Sequence, residues 1–274
     1  MGDKIKLPIV DNMISHCHTS SDRESPLMEW VRNDYNSYDF VFLTDTSLRV
    51  LETIKDKRCF AWLLESPAIT KNYYEYVEKN HNRFDTIYTF KKDFIEKFQN
   101  SKFLPVGGCW IDNNDKGTHF DQKQKKLSIV ASPKKQTEGH KLRHSVIGSY
   151  GDKIDLYGRG YNPIPNKIPS LKQYMYQIVI ENTKEDYYFT EKLIDCLQTG
   201  VIPIYWGCPS IDKFFDINGI ITFNNVDELG EIINNLSIDD YNNRKKSIIN
   251  NYEKSKEFLY SEHYLIKKYM GHDF

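Results

Sequence analysis

Charged and polar side chains follow an apolar run in the second half of the chain, where the pattern changes from strand to helix. Glu181 and Asn182 come directly after the run at residues 178–180, and Glu191 and Lys192 open the next predicted helix. Backbone N–H groups and the positive dipole end of a helix attract anions, and Lys192 adds a full charge there. The pattern favours a site for an anion such as phosphate. An ordinary β-α-β core unit with a solvated Glu–Lys pair is the alternative.

A second basic set follows the predicted strand at residues 127–131, at a position where open α/β sheets bind ligands. Arg143 lies in the helix that comes next and could bind a diphosphate through two parallel hydrogen bonds. Lys134 and Lys135 are weaker candidates in the connecting loop. A solvated helix face that includes Lys141 and Arg143 is the alternative interpretation.

The elements that must position these groups follow one another along residues 177–209: a strand, a polar loop, a helix that stops at Gly200, and a second strand that ends at Gly207. In such a β-α-β unit, the loop after the first strand faces the crevice at the carboxyl ends of the strands. Tyr157 and Gly158 end another apolar run, and a glycine there permits a ligand to approach the backbone closely. A tight turn explains the same two residues.

The segment at residues 181–207, ENTKEDYYFTEKLIDCLQTGVIPIYWG, resembles the signature of the fucosyltransferases of glycosyltransferase family 10. The resemblance rests on ENT at the strand end, on YFTEK at residues 188–192 and on the apolar strand that ends in Gly207. It is strong over about residues 126–222 and thin before them. The resemblance implies an α/β fold of the GT-B-like type, with two Rossmann-like domains facing a central cleft.

The family resemblance also implies a reaction: fucose is transferred from GDP-fucose to a sugar hydroxyl of a glycan acceptor, with inversion of the anomeric centre by direct displacement. No metal or other cofactor is expected to be required, because positive side chains and helix-end amides can stabilise the leaving diphosphate. The implied donor-binding residues are Arg143, Tyr188, Glu191, Lys192, Asn182 and Glu181, with Tyr157 and Gly158 near the base or ribose.

The acceptor hydroxyl must lose a proton, which calls for a general base. Family members place a Glu at the end of a first-domain strand, but alignment on Ser-Pro at residues 66–67 puts that position nearer Leu63 than Glu65. We expect Glu65 to be the catalytic base because it ends a strand that should face the cleft, with a capping or salt-bridged Glu as the alternative. Other residues expected to end strands on that side are His16, His18 and Asp45. A His-x-His pair alone is too few ligands for a metal site.

Strand and helix patterns alternate along the chain, which predicts parallel sheets with crossover helices. We predict an acceptor-side Rossmann-like domain at residues 1–122, a nucleotide-sugar donor-binding domain at residues 123–255 and a C-terminal helical segment at residues 256–274. The polar stretch at residues 112–126 is expected to link the domains. Helices are also predicted from Pro26 through Val31 and over residues 171–176.

Composition narrows the class of protein further. The formal net charge of −1 argues against a broad nucleic-acid interface. No apolar run approaches the ~20 residues of a membrane span, and no signal peptide is visible. The five cysteines predict free thiols in a reducing compartment, so we expect a cytoplasmic protein, soluble or peripheral to a membrane. Two alternatives stay open: a GT-B transferase with a different nucleotide-sugar donor, and a non-catalytic nucleotide-sugar-binding protein.

Overall fold

The computed structural model describes residues 3–11, 19–21, 23–32 and 34–271, and the chain forms two compact units. The first unit contains residues 1–108, 186–188 and 258–274, and the second contains residues 109–185 and 189–257. Each unit has its own parallel sheet and its own hydrophobic core. The assignment of the two units to acceptor and donor stays a prediction.

The first sheet has six parallel strands in the order β2-β1-β3-β4-β5-β6. Its strands are β1 (Ile5–Val10), β2 (Met28–Arg32), β3 (Phe40–Thr44), β4 (Arg58–Leu63), β5 (Thr86–Thr89) and β6 (Ser101–Phe103). Its first two helices are α1 (Pro67–Asn80) and α2 (Lys92–Lys97). Strands β3, β4 and β5 are almost entirely buried, which is why they appear in the sequence as continuous apolar runs.

The helix predicted from Pro26 through Val31 is wrong, because the second half of this segment is strand β2. Met28 and Trp30 are buried while Glu29 between them is exposed, a period of two that belongs to a strand. The strand pairs in parallel with β1, with Leu7 opposite Trp30. A five-residue strand offers too few positions for its alternation to be recognised beside a proline that also suits a helix start.

The second sheet has five parallel strands in the order β11-β10-β9-β7-β8. Its strands are β7 (Lys125–Val130), β8 (Asp155–Tyr157), β9 (Tyr174–Ile180), β10 (Ile202–Trp206) and β11 (Ile221–Thr222). Its helices are α3 (Glu138–Tyr150), α4 (Glu191–Gln198), α5 (Val226–Asn235), α6 (Ile238–Asn243) and α7 (Lys245–Ser255). The α/β alternation predicted from the sequence is confirmed.

The helix predicted over residues 171–176 is wrong, because β9 already begins at Tyr174. All seven residues of β9 are buried, and the strand pairs with β7 on one side and β10 on the other. A central strand that is covered on both faces shows no alternation of apolar and polar residues. Its aromatic first residues could therefore not be distinguished from a helix by pattern alone.

The polar stretch at residues 112–126 is not a free linker, since it packs within the second unit. Gly117 N–H donates to the carbonyl of Gln198 at 2.9 Å, and His119 is buried. Lys125 already belongs to β7, where it lies opposite Tyr174. Its polar composition reflects turns that run along the surface of the unit rather than a flexible connection.

The segment at residues 258–274 belongs to the first unit and includes the short helix α8 (Ser261–Leu265), followed by a π-helical turn (Ile266–Met270). Glu262 is fully buried, and its carboxylate accepts hydrogen bonds from Ser20 N–H at 2.8 Å and from the Trp30 indole at 3.1 Å. These bonds hold the segment to the first unit.

Among the described residues, no helix is long and apolar enough to cross a membrane. The four cysteines in this part of the chain, Cys59, Cys109, Cys196 and Cys208, are buried free thiols, as expected; Cys17 lies outside the described residues.

Candidate functional site

A cavity of about 250 Å³ lies at the carboxyl ends of β7 and β9 in the second unit. These neighbouring strands are where the strand order of the sheet reverses, and open α/β sheets bind ligands at such points. Its charged lining side chains are Arg143, Arg159, Lys167, Glu191 and Lys192. Four cations and one carboxylate give the cavity a net positive charge, which suits an anionic ligand.

Two glycines allow the elements around the cavity to approach one another closely. A Cβ on Gly158, which has a φ of +112°, would lie 2.0 Å from the carbonyl oxygen of Ala131. A Cβ on Gly139, at the start of α3, would lie 1.8 Å from the carbonyl oxygen of Glu181. Only glycine fits at either position, so the beginning of α3 and the end of β8 can lie directly against the ends of the central strands.

Arg143 projects from α3 into the wall of this cavity, and its side chain is almost completely buried. Its guanidinium donates to the carbonyl of Ile180, with a distance of 3.1 Å from Nε, and to the Asn182 amide oxygen at 3.3 Å. The arginine therefore holds the end of β9 as well as lining the cavity. Asn182 contacts this guanidinium and is not among the residues that line the cavity.

Glu181 lies behind the cavity wall, completely buried, and organises the start of α4. Its carboxylate accepts hydrogen bonds from the backbone N–H of Thr190 at 2.8 Å and from the Thr190 hydroxyl at 2.7 Å. Burial raises the pKa of this carboxyl, although Lys192, whose Nζ lies 3.6 Å away, acts in the opposite direction. The glutamate fixes the signature loop and is not among the residues that line the cavity.

Thr190 is the N-cap of α4, as predicted from the sequence. Its side-chain oxygen accepts hydrogen bonds from the backbone N–H and the Nζ of Lys192, the latter at 3.0 Å. The lysine that opposes the helix dipole is thus held in place by the cap and by carboxylates. Its position in the cavity wall brings it together with Arg143, as an anion site requires.

Glu191 lines the cavity between two ammonium groups. Its Oε1 atom lies 3.1 Å from Lys192 Nζ and 3.7 Å from Lys167 Nζ. Burial alone would raise the pKa of Glu191, but the two lysines outweigh burial and the pKa falls to about 2. Glu191 is therefore a carboxylate throughout the physiological range and can only accept hydrogen bonds, as from the hydroxyl groups of a ligand.

Sequence reasoning missed three residues at this site. Lys167 lies in the Pro-rich loop before β9, and its Nζ is 2.6 Å from the carboxylate of the buried Asp195 and 4.6 Å from the centre of the Trp110 ring. The backbone N–H of Trp110 donates to the same carboxylate at 2.7 Å. The available signal was an aspartate on the apolar, buried face of α4, because a charge there needs a partner.

Other predicted donor-site residues lie elsewhere. The Tyr188 ring is buried in the hydrophobic cluster of the first unit, 4.7 Å from Phe90, and does not line the cavity. The hydroxyl of Tyr157 is hydrogen-bonded to that of Tyr174 at 2.8 Å, so only its neighbour Gly158 reaches the cavity. Packing against partners distant in the chain decides both positions, and the signature alone does not carry that information.

The two lysines of the loop before α3, Lys134 and Lys135, are exposed and do not line the cavity. His16 and His18 lie outside the described residues. Within the residues that the structure describes, no group of three or more His, Cys, Asp or Glu side chains could hold a metal ion.

The predicted base, Glu65, is the second residue after β4 in the first unit. The backbone N–H groups of Leu64 and Glu65 donate to the carboxyl of Asp45, at 2.9 and 3.3 Å, and the Tyr74 hydroxyl donates to the Glu65 carbonyl at 2.8 Å. Asp45 is completely buried, and burial raises its pKa to about 7 despite the two backbone donors. Two carboxyl groups therefore meet at this strand end, one of them titrating near neutral pH.

Comparison with known proteins reveals two relatives with similar sequences over a short region. Alpha-(1,3)-fucosyltransferase FucT of Helicobacter pylori is 43% identical over 72 residues, which are 25% of this chain and 15% of that protein. A putative fucosyltransferase-like protein of Arabidopsis thaliana is 38% identical over 65 residues, 23% of this chain and 13% of that protein. The matched part thus spans less than a sixth of either relative.

Solved structures resemble the chain over most of its length. An α1,3-fucosyltransferase in complex with GDP-fucose has a TM-score of 0.57 at 18% identity, covering 93% of this chain and 90% of the other. Anabaena HepE in complex with UDP-glucose has a TM-score of 0.64 at 12% identity, covering 97% and 99%. At these identities the likeness shows the fold, and the GT-B-like fold class with two α/β parallel sheets is confirmed.

The family model described as glycosyltransferase family 10 (fucosyltransferase) C-terminal region matches residues 120–261, more than half of the chain. This region includes the whole cavity wall apart from Trp110. The resemblance seen in the signature segment is thus confirmed, and the chain belongs to glycosyltransferase family 10, the fucosyltransferases.

Proposed function

We propose that the protein transfers fucose from GDP-fucose to a hydroxyl group of a glycan acceptor. The observation that carries this proposal is that Arg143 and Lys192 line one cavity at the point where the strand order of the second sheet reverses. A nucleoside diphosphate is an anion that such a cavity suits. Membership of the fucosyltransferase family and the similar fold of a GDP-fucose complex support GDP-fucose as the donor.

The positive side chains of the cavity supply what the leaving group needs. When the bond between the sugar and the diphosphate breaks, negative charge develops on the phosphate oxygen, and preorganised cations stabilise it. Arg143 and Lys192 are held by hydrogen bonds to neighbouring protein groups, so little reorganisation is required during the reaction. The proposal assigns this stabilisation to side chains and to the N-terminus of α4, with no metal ion.

We assign the proton acceptor to Glu65. A carboxylate at a strand end can remove the proton of an acceptor hydroxyl while the hydroxyl oxygen attacks the anomeric carbon. Direct displacement of this kind inverts the anomeric centre and leaves GDP as the second product. Glu191, ionised in the cavity wall, accepts hydrogen bonds from hydroxyl groups of the ribose or the sugar.

Leu63 favours a second candidate function, a GT-B transferase that uses another donor or another acceptor. The family alignment puts its base nearest this residue, which is completely buried and cannot accept a proton. We also propose a cytoplasmic location, which four buried free thiols support because reducing compartments preserve them.

The proposal is tested by calorimetry with GDP-fucose, GDP-mannose, UDP-glucose and ADP-glucose, followed by transfer assays on a glycan panel. We expect GDP-fucose to bind most tightly and fucose to appear on at least one acceptor. Tighter binding of UDP-glucose would favour the second candidate. Donor binding without transfer to any glycan would indicate a nucleotide-sugar-binding protein that does not catalyse transfer.

A further inference from the structure

An ion pair between Lys167 and the buried carboxylate of Asp195 supports one wall of the cavity. Asp195, on α4, is 1% exposed, and its carboxylate contacts Lys167 Nζ at 2.6 Å and Trp110 N–H at 2.7 Å. Lys167 and Trp110 both line the cavity, although they come from separate loops. One aspartate therefore fixes two parts of the wall, which also contact each other through Lys167 Nζ and the Trp110 ring.

The same lysine reaches Glu191, a carboxylate proposed to bind hydroxyl groups. Lys167 Nζ lies 3.7 Å from Glu191 Oε1, while Lys192 Nζ lies 3.1 Å from the same oxygen. A lysine this close to two carboxylates stays charged: burial lowers its pKa, but Asp195 and Glu191 raise it further, so the pKa lies above its usual value. Asp195, Lys167 and Glu191 thus form a chain of alternating charge that ends in the cavity.

We propose that Lys167 and Asp195 are a positioning pair that holds Glu191 as an oriented carboxylate, so that Glu191 accepts hydrogen bonds from the ribose diol of a nucleoside diphosphate. This inference rests on the proposed function, since it assigns a ligand group to the donor cavity. It adds two residues that act on the ligand through Glu191. Trp110, fixed by the same aspartate, completes that edge of the wall.

The charges around Glu191 explain why Lys167 matters. The groups that face this carboxylate are Lys192, Lys167, Thr190, Glu181 and Asp195. Without Lys167, one lysine remains against three closely spaced carboxyl groups. The pKa of Glu191 then rises, because like charges and burial both disfavour ionisation. A protonated Glu191 loses acceptor capacity, so binding of a diol becomes sensitive to pH.

The test measures binding of three nucleotides by calorimetry at pH 6 and pH 8: GDP, 2′,3′-dideoxy-GDP, which lacks the ribose diol, and GDP-fucose, which adds sugar hydroxyls. We expect the wild-type chain to prefer GDP over dideoxy-GDP by roughly tenfold, the effect of losing hydrogen bonds to a charged group. This preference should be equal at both pH values. GDP-fucose shows whether the sugar adds hydroxyl contacts to those of the ribose.

In Lys167→Met we expect the preference for GDP to fall at both pH values, because Glu191 loses one of the two ammonium groups that hold it, and to fall further at pH 6 than at pH 8. Lys167→Arg should retain the wild-type preference, since it keeps the positive charge. Asp195→Asn should lower the preference equally at both pH values, because it displaces Lys167 without removing its charge. Lys153→Met, an exposed lysine whose Nζ contacts Asn234, is the matched control and should change nothing.

Wild-type preference at both pH values in Lys167→Met would overturn the inference while leaving the proposed function intact. If Lys167→Met does not fold, Asp195→Asn decides: an unchanged preference for GDP in this variant overturns the pairing. If the wild-type chain binds neither GDP nor GDP-fucose, the proposed function fails and the inference fails with it. If GDP and dideoxy-GDP bind equally while GDP-fucose binds more tightly than both, the assignment of Glu191 to the ribose diol is contradicted.

Discussion

Two carboxyl groups, one in each unit, have opposite pKa shifts. Asp45, after β3 in the first unit, receives hydrogen bonds from two backbone N–H groups and the Thr70 hydroxyl, and burial raises its pKa to about 7. Glu191, the first residue of α4 in the second unit, lies between two lysine ammonium groups, and its pKa is about 2. Asp45 therefore titrates near neutral pH, whereas Glu191 stays ionised there.

The difference between these two carboxyl groups lies in the groups that face them. Neutral N–H donors do not compensate for the loss of water around Asp45, whereas full positive charges at 3 to 4 Å do so around Glu191. A permanently charged carboxylate suits ligand binding, because its acceptor capacity does not vary with pH. Asp45 is completely buried, so its raised pKa bears on how the stability of the fold depends on pH.

The largest effect should come from the proposed base in the first unit. Glu65→Gln removes the proton acceptor and keeps the shape of the side chain, so we expect turnover to fall by roughly 10²- to 10⁴-fold. Binding of GDP should stay unchanged, since the cavity lies in the second unit. Transfer assays and calorimetry on the same preparations measure both quantities.

Glu75→Gln is the control for that substitution, because Glu75 is exposed on α1 and pairs only at the surface with Lys71. Its turnover should match that of the unmodified chain. Equal turnover in Glu65→Gln would remove Glu65 from the mechanism and assign proton transfer to another group.

Asp45→Asn tests the pKa contrast in the first unit, because it replaces the carboxyl group whose pKa is raised. The folded-state pKa of Asp45 is about 7 and its ordinary value is 3.8, so folding favours the protonated form. The free energy of unfolding should therefore fall as pH rises between these two values, by about 2 to 3 kcal/mol from pH 5 to pH 8. Asparagine cannot ionise, and the variant should lose this part of the pH dependence.

Urea unfolding at pH 5, 6, 7 and 8 measures the effect, with Asp93→Asn on the exposed surface of α2 as the control. A pH dependence in Asp45→Asn that equals that of the unmodified chain would show that Asp45 is already ionised in the folded protein. In that case the contrast with Glu191 would disappear.

Lys192→Ala removes the closer of the two cations from Glu191 and one of the cations of the proposed diphosphate site. We expect GDP affinity to fall by about 10- to 100-fold, because a charge-assisted hydrogen bond is worth about 1.5 to 3 kcal/mol. Calorimetry measures the loss, and Lys153→Ala should bind GDP like the unmodified chain. Unchanged affinity in Lys192→Ala would leave Arg143 as the main cation of the site and weaken the assignment of Lys192.

The smallest effect should come from the cap that organises the second site. Thr190→Val deletes the hydroxyl that caps α4 and donates to Glu181, so we expect a loss of about 1 to 2 kcal/mol in the free energy of unfolding. Thr190→Ser keeps the hydroxyl and should recover most of it. If both variants are equally stable, the hydroxyl contributes nothing and the backbone N–H of residue 190 alone holds Glu181.

The local order of the sequence determined much of the second unit. Strand, loop and helix follow one another within residues 177–209, so the end of β9, the Thr190 cap and the position of Lys192 could be predicted from neighbouring residues. These features depend on residues that are close together in the chain, so the sequence alone is enough to predict them. The choice of Arg143, in α3, depended on the family resemblance, because a solvated helix face explains the same position.

Only the tertiary structure decided which distant residues contact one another. Lys167 and Trp110 lie 28 and 85 positions from Asp195, and no local pattern links them. Tyr188 belongs to the signature segment, yet its ring packs in the core of the first unit. Tertiary packing also surrounds Asp45 with the backbone donors of Leu64 and Glu65, and it adds Lys167 to the neighbouring Lys192 around Glu191. Such contacts join distant segments, whereas the position of a strand end comes from the residues beside it.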